Sequence, residues 1–387
     1  MEIALYPLTS GLHRETVPDP LEEPFIKSIE KALGHAFIPG KEDFSDYGKH
    51  DMDLIYIRTG GTENLFRKIN PDGYVRLLTS GKSNSLAASM EILSWLKGSG
   101  RDGEILHGSP GNIAERLSGR EERGTDSSEL IRGIPGLDMP PARLGVVGKP
   151  SDWLISSGVD EGKLRSKFNS ELVRIPIDEL TDAVLAHRID HRSIQGSEAI
   201  YEELMNIVGK YRLDGITVRC FDLLDSIGNT GCLALARMNS EGIPAGCEGD
   251  IPALVTMMTA YRLTGFSGFQ CNLSRIEEDR LLFAHCTVPF NMLSGWSFTT
   301  HFESGIGTAV KGEIPPGPVT VFKIAPDMER MVAIPARIIS GNSEPDLCRT
   351  QIWVEARGAA GYFLHNPLAN HHIIVPGELF ANDGDGK

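Results

Sequence analysis

The chain has little of what marks a metal knuckle, a membrane span or a polyanion-binding surface. Its 387 residues hold six cysteines, Cys220, Cys232, Cys247, Cys271, Cys286 and Cys348, and no two form a C-x-x-C pair. That excludes a zinc knuckle or a dithiol redox motif, and the expected state of these thiols is reduced and buried, as small hydrophobes. No apolar run approaches the roughly 20 residues that cross a bilayer. Positive charge is in deficit: 38 Lys and Arg stand against 52 Asp and Glu, a formal net charge of −14. Such a balance disfavours nucleic acid and anionic membrane as partners. The opening residues, Met1 to Pro7, carry neither a charged n-region nor a long apolar h-region. A cytoplasmic location is therefore expected.

What is present suits a turn-rich α/β enzyme: 41% hydrophobic residues and 42 glycines, in a length that implies two or three domains. Up to about Pro141, apolar strand runs alternate with amphipathic segments: Ile3 to Tyr6, Asp53 to Arg58, Val75 to Leu78 and Glu104 to Gly108, with helices over Phe25 to Leu33 and Leu86 to Lys97. This alternation predicts a parallel sheet with crossover helices. Two polar turns follow strands and open helices, Thr59-Gly60-Gly61-Thr62-Glu63 and Ser80 to Ser85. Gly81-Lys82-Ser83 resembles the end of a phosphate-binding loop, but Arg76 occupies the position of that motif's first glycine, so a nucleotide loop is excluded. Both turns still offer helix-start N–H groups to an oxygen-rich ligand. Gly111 to Gly136, with Arg120, Glu121, Glu122 and Arg123, reads as a mobile surface segment or a linker.

A second α/β unit begins at Arg143, with strands expected at Trp153 to Ile155, Leu172 to Ile175 and Gly215 to Cys220 and a helix over Ile200 to Tyr211. Within it, Cys247-Glu248-Gly249-Asp250-Ile251-Pro252 places a carboxylate before a helix that runs from Ile251 to Thr264. Asp250 is its natural N-cap, Pro252 fits the first turn, and Gly265 its C-terminal end. Strand-to-helix junctions of this kind are where open α/β sheets bind ligands. After Thr264 the pattern becomes β-rich and heavily broken by Pro and Gly. The domains expected are 1–142 and 143–267, both α/β, and 268–387, β-rich and largely antiparallel.

Several segments, in order, resemble the L-fucose and L-arabinose isomerase superfamily, in its short fucose isomerase-like members. They are Thr59 to Glu63, Ser83 to Ala88, Ile105 to Gly108, Cys247 to Asp250, Ala284 to Pro289, His301 to Gly305 and Asn370-His371-His372. The resemblance implies two Rossmann-like α/β domains followed by a β-rich C-terminal domain, assembled as a trimer or hexamer. It also implies a divalent metal, Mn²⁺ above others, and a small sugar as substrate. Glu248, His285 and His371 or His372 match the family's ligand positions, His371 being favoured. Thr59, Gly60, Gly61, Thr62, Glu63, Ser83, Asn84 and His301 are expected to face the sugar.

The implied reaction interconverts an aldose and a ketose through an enediol. A hard cation stabilises the developing charge, and carboxylates move the proton between C1 and C2. Glu248 is the expected base and ligand. The family's second acid should fall within Gly268 to Asn272, where this chain has none. Asn272 can offer an amide oxygen to the metal but cannot take a proton; Cys271 is expected to be packed. Asp250 or Glu303 are the acids left to serve, with Asp250 counted beside Glu248 as catalytic. The missing acid leaves a metal-dependent lyase or epimerase, or a catalytically silent sugar-binding homologue, as the competing readings.

Overall fold

A computed structural model describes residues 1–11, 19–119 and 127–380. These divide into two compact units: one holds Met1–Leu130, Leu273–Leu281 and Arg357–Asn370, the other Ile131–Asn272, Leu282–Ala356 and His371–Lys387.

The first unit is built on five strands, β1 (Ile3–Leu8), β2 (Ile38–Pro39), β3 (Met52–Ile57), β4 (Val75–Thr79) and β5 (Gly103–Leu106), all parallel in the order β2-β1-β3-β4-β5. Short apolar runs without polar alternation form such strands because crossover helices cover both faces. Leu54, Tyr56 and Leu78 of the sheet pack with Ile26 and Ile29 of helix Pro24–Leu33 and with Ile113 and Leu117 of helix Pro110–Leu117. That last helix corrects the reading of Gly111 to Gly136 as a mobile surface segment or a linker over its first part, Gly111 to Leu117. Ile113, Ala114 and Leu117 recur at helical spacing on a buried face, and Ser109 caps the helix by accepting from Asn112 N. Arg120, Glu121, Glu122 and Arg123 lie outside the described residues.

The second unit opens with β6 (Ile131–Gly133) and then a parallel sheet of β7 (Ala142–Val147), β8 (Ser170–Ile175), β9 (Gly215–Val218) and β10 (Ala245–Cys247), in the order β10-β9-β7-β8. Trp153-Leu154-Ile155, expected as a strand, forms turns instead, with Leu154 N bonded to Ser151 O. Three apolar residues between Asp152 and Ser156 are too few to outweigh the local turn bonds. The remaining strands are β11 (Phe269–Glu277), β12 (Arg280–His285), β13 (Gly295–Thr299), β14 (Ala309–Glu313), β15 (Gly317–Ile324), β16 (Arg330–Gly341), β17 (Thr350–Glu355) and β18 (His372–Pro376). Six of them run β15-β18-β11-β12-β17-β16, and pairing of β16 back to β15 closes a barrel, with β6 added beside β16 and β13-β14 a separate ribbon. The chain thus has parallel, Rossmann-like α/β sheets followed by a six-stranded barrel.

Helix Ile251–Thr264 is the hinge pin of the second unit. Its first ten residues are all buried, as expected of a helix apolar on every side. Leu254, Met257 and Met258 share one core with Leu144 and Val146 of β7 and with Phe322, Ile324, Ile373 and Val375 of the barrel. Each large side chain so buried contributes about 1.5–3 kcal/mol. A charge at Leu254 would therefore break the seat on which the N-terminal end of this helix, and the turn before it, depend.

Candidate metal centre

The turn after β10 is held in a conformation that ordinary residues avoid. Glu248 and Gly249 are both left-handed, with φ of 64° and 68°, and for a glutamate that is strain retained only where surroundings enforce it. Gly249 N donates to Val218 O at 3.0 Å, Asp250 N to Cys247 O at 3.2 Å, and Ser151 N to Glu248 O at 2.9 Å. A Cβ on Gly249 would stand 2.6 Å from Lys149 O, so glycine is required there. Asp250 then returns to extended backbone and caps the helix, its Oδ1 accepting from Ala253 N at 2.8 Å. On the barrel side, Gln270 Oε1 accepts from Cys247 N at 2.8 Å.

Around this turn the side chains converge. Donor atoms of Cys247, Glu248 and His285, all buried, lie within 4.8 Å of one another, close enough to hold one metal ion. His285 sits at the end of β12 with Nδ1 2.9 Å from Thr287 Oγ1. In the tautomer that donates from Nδ1, Nε2 presents its lone pair. His371 lies just before β18, its ring 5.6 Å from that of His285. Its Nδ1 donates to Asp250 Oδ2 at 2.8 Å, and its Nε2 is 3.5 Å from Glu248 Oε1. Trp153 Nε1 donates to Glu248 Oε2 at 2.6 Å. Glu248 is thus gripped at one oxygen by an indole and faced at the other by an imidazole.

The charges follow from these distances. Burial opposes an ionised Glu248, yet the His371 charge and hydrogen bonds hold its carboxyl below the usual range. Burial likewise opposes ionised Asp250, but Lys323 and His371 push it down to about 2. For His371 burial works against the charge and is overcome by Glu248 and Asp250, which raise it to about 10. His285 goes the other way, pushed down to about 4 by burial and by the His371 charge. The centre therefore holds a charged His371 between two carboxylates and a neutral His285 beside them.

Three buried atoms in this region make no hydrogen bond among the described residues: His371 Nε2, Asn272 Oδ1 and Lys323 Nζ. Asn272 follows Cys271, which is paired with His372 across β11 and β18. Continuing that register sets Asn272 opposite His371, on the strand face of Gln270. An orphaned amide oxygen beside a carboxylate and a neutral imidazole fits a cation. Cys271 is packed as expected, its thiol against Phe269 O at 3.2 Å and pushed up by burial.

The remaining expected residues fall in two places. His301 belongs to the second unit; its Nδ1 is 3.0 Å from Ser304 Oγ, and its ring lies edge-on 5.5 Å from Phe221, which in turn meets Trp153 at 4.8 Å. Thr59, Gly60, Gly61, Thr62, Glu63, Ser83 and Asn84 belong to the first unit, where the two turns adjoin: Gly60 N donates to Ser83 O at 2.7 Å. Much of their polar capacity is used locally. Thr62 Oγ1 donates to Thr59 O at 3.0 Å, Ser10 N to Thr59 Oγ1 at 3.0 Å, and Thr79 Oγ1 to Ser85 Oγ at 2.7 Å.

Three participants were not singled out from the sequence. Sequence reasoning gives Cys247 as a packed thiol and Trp153 as a strand residue. Lys323 is fully buried, with Nζ making no hydrogen bond among the described residues. Its signal was legible, since it is the lone charge in the apolar run Val319 to Ile324. No helix of the described residues is long and apolar enough to cross a membrane. No model of a known protein family matches the chain, and no curated protein does.

Proposed function

We propose that the protein is a metal-dependent carbohydrate isomerase that interconverts an aldose and a ketose through an enediol. The observation that carries this reading is the convergence of a metal-capable donor group with a second proton-carrying group, His371 oriented by Asp250, against Glu248. A bound divalent cation would polarise the sugar's carbonyl and hydroxyl oxygens as a Lewis acid. Glu248, ionised and fixed by Trp153, is the group to accept the proton from the sugar carbon. His371 carries a proton on Nε2, directed by Asp250 through Nδ1, and returns it to oxygen or carbon. The imidazole thus supplies the function for which a second carboxylate was expected between Gly268 and Asn272.

Cys247, Glu248 and His285 can hold an ion by themselves, and in this reading His371, matched to a ligand position by the resemblance, serves in proton transfer instead. Asn272 Oδ1 is a further oxygen for the cation or the sugar. Mn²⁺ and the trimeric or hexameric assembly belong to this proposal through the resemblance alone. Among the competing readings, the absence of an acid at Asn272 favours a lyase or epimerase over simple loss of activity, because Glu248 and His371 remain paired.

The test is incubation of the metal-loaded protein with panels of aldoses and ketoses in D₂O, followed by proton NMR. The isomer of one sugar with deuterium at the carbon adjoining the carbonyl is the expected product. Cleavage fragments or an inverted centre would move the assignment to a lyase or epimerase, and no turnover of any sugar would overturn catalysis.

A further inference from the structure

Cys247 is the last residue of β10 and Glu248 the first beyond it. Along an extended strand their side chains would point to opposite faces. The left-handed φ of 64° at Glu248 breaks that alternation, so that the Cys247 sulfur and the Glu248 carboxylate both come within 4.8 Å of the His285 imidazole. A second thiol attends the first: Cys220 Sγ, from the segment after β9, is 2.9 Å from Cys247 Sγ, and both are buried. Either sulfur can donate in this pair; with Cys247 ligating as a thiolate, Cys220 would supply the S–H donor. Backbone anchoring is equally firm, since Cys247 N is bonded to Gln270 of the barrel.

We propose that Cys247 is itself a metal ligand, so that the centre has a sulfur, nitrogen and oxygen donor set and prefers Zn²⁺ or Co²⁺ to Mn²⁺. The inference rests on the metal centre of the proposed function, but not on its being an isomerase. Binding replaces the S–H bond of Cys247 by a sulfur–metal bond, and the thiol proton leaves to solvent. Thiolate and imidazole select borderline metals, whereas Mn²⁺ and Mg²⁺ favour sites of oxygen donors. Cys220 stays a thiol and acts as a positioning residue.

The experiment is titration of the reduced, metal-free protein with Co²⁺, followed by absorbance and calorimetry. One equivalent is expected to bind with an intense sulfur-to-cobalt charge-transfer band in the near ultraviolet. In Cys247→Ser the band should vanish while one equivalent still binds, and the ratio of Zn²⁺ to Mn²⁺ affinity should fall about tenfold or more. Cys286→Ser, which alters another buried thiol, should keep the band. Circular dichroism melts of both variants show whether they fold. If Cys247→Ser does not fold, Cys220→Ser replaces it, with a shifted band and weaker Co²⁺ binding expected. Co²⁺ bound without the band, or a band that survives Cys247→Ser, would overturn the assignment. No binding of Co²⁺, Zn²⁺ or Mn²⁺ would overturn the metal centre itself, and this ligand with it.

Discussion

His107 and His371 are both buried imidazoles, one in each unit, and burial has opposite outcomes for them. His107 is surrounded by backbone: Nδ1 donates to Thr79 O at 3.1 Å and Nε2 accepts from Ile276 N at 3.1 Å. With both nitrogens satisfied by neutral groups, burial pushes it down to about 4. His371 stands between Asp250 and Glu248, and there the carboxylates overcome burial and raise it to about 10. The first histidine is a fastener joining β4, β5 and β11; the second is a charge carrier. The strand-to-helix turns differ in the same way. Ser83 and Asn84 are left-handed in succession, as Glu248 and Gly249 are, yet the first turn closes its hydroxyls on its own backbone. The unusual backbone is common to both turns; convergence of ionisable side chains marks the second.

Breaking the charged side of this comparison should have the largest effect. Asp250→Ala removes both the acceptor for His371 and the helix cap, and should destabilise the second unit by about 3–5 kcal/mol in urea unfolding at neutral pH. Glu248→Gln should leave a folded protein that binds divalent metal about 100-fold more weakly by calorimetry, the upper end of what disturbing a metal site costs. The neutral histidine gives a pH signature instead. Held at about 4 in the fold against 6.5 when exposed, His107 takes up its proton first in the unfolded chain. Its contribution is full above pH 6.5 and is lost as pH falls toward 4. His107→Gln should flatten that part of the stability profile without altering metal stoichiometry. For His371 the sign is reversed, its contribution being full below pH 6.5 and lost as pH rises toward 10. The smallest effect is expected at the first turn, where Thr79→Val removes the hydroxyl bonded to Ser85 and should cost about 1 kcal/mol, with metal affinity unchanged.

Much of the fold was legible because periodicity and caps are local. Asp250, Pro252 and Gly265 mark their helix in the sequence, and all three take the positions they imply. The closed barrel was visible only as β-rich texture, since closure also needs strands far apart in the chain to pair, β18 with β11 and with β15, which no local pattern encodes. At the site, Glu248 stood out as a carboxylate in a turn and His285 as a histidine in an apolar strand. Lys323 was legible too, as the lone charge of an apolar run, but Trp153 was not, because 95 positions separate it from Glu248. Between Gly268 and Asn272 the sequence holds no acid. What the sequence could not supply was that His371, bonded to Asp250, stands against Glu248.

The most direct test of the central claim is anomalous diffraction from crystals soaked with Zn²⁺ or Co²⁺ at saturating concentration. One peak is predicted, within bonding distance of Glu248 and His285 with Cys247 on its third side, and with Asp250 still bonded to His371 Nδ1. A saturated protein whose only peak lies away from Glu248 and His285 would contradict it.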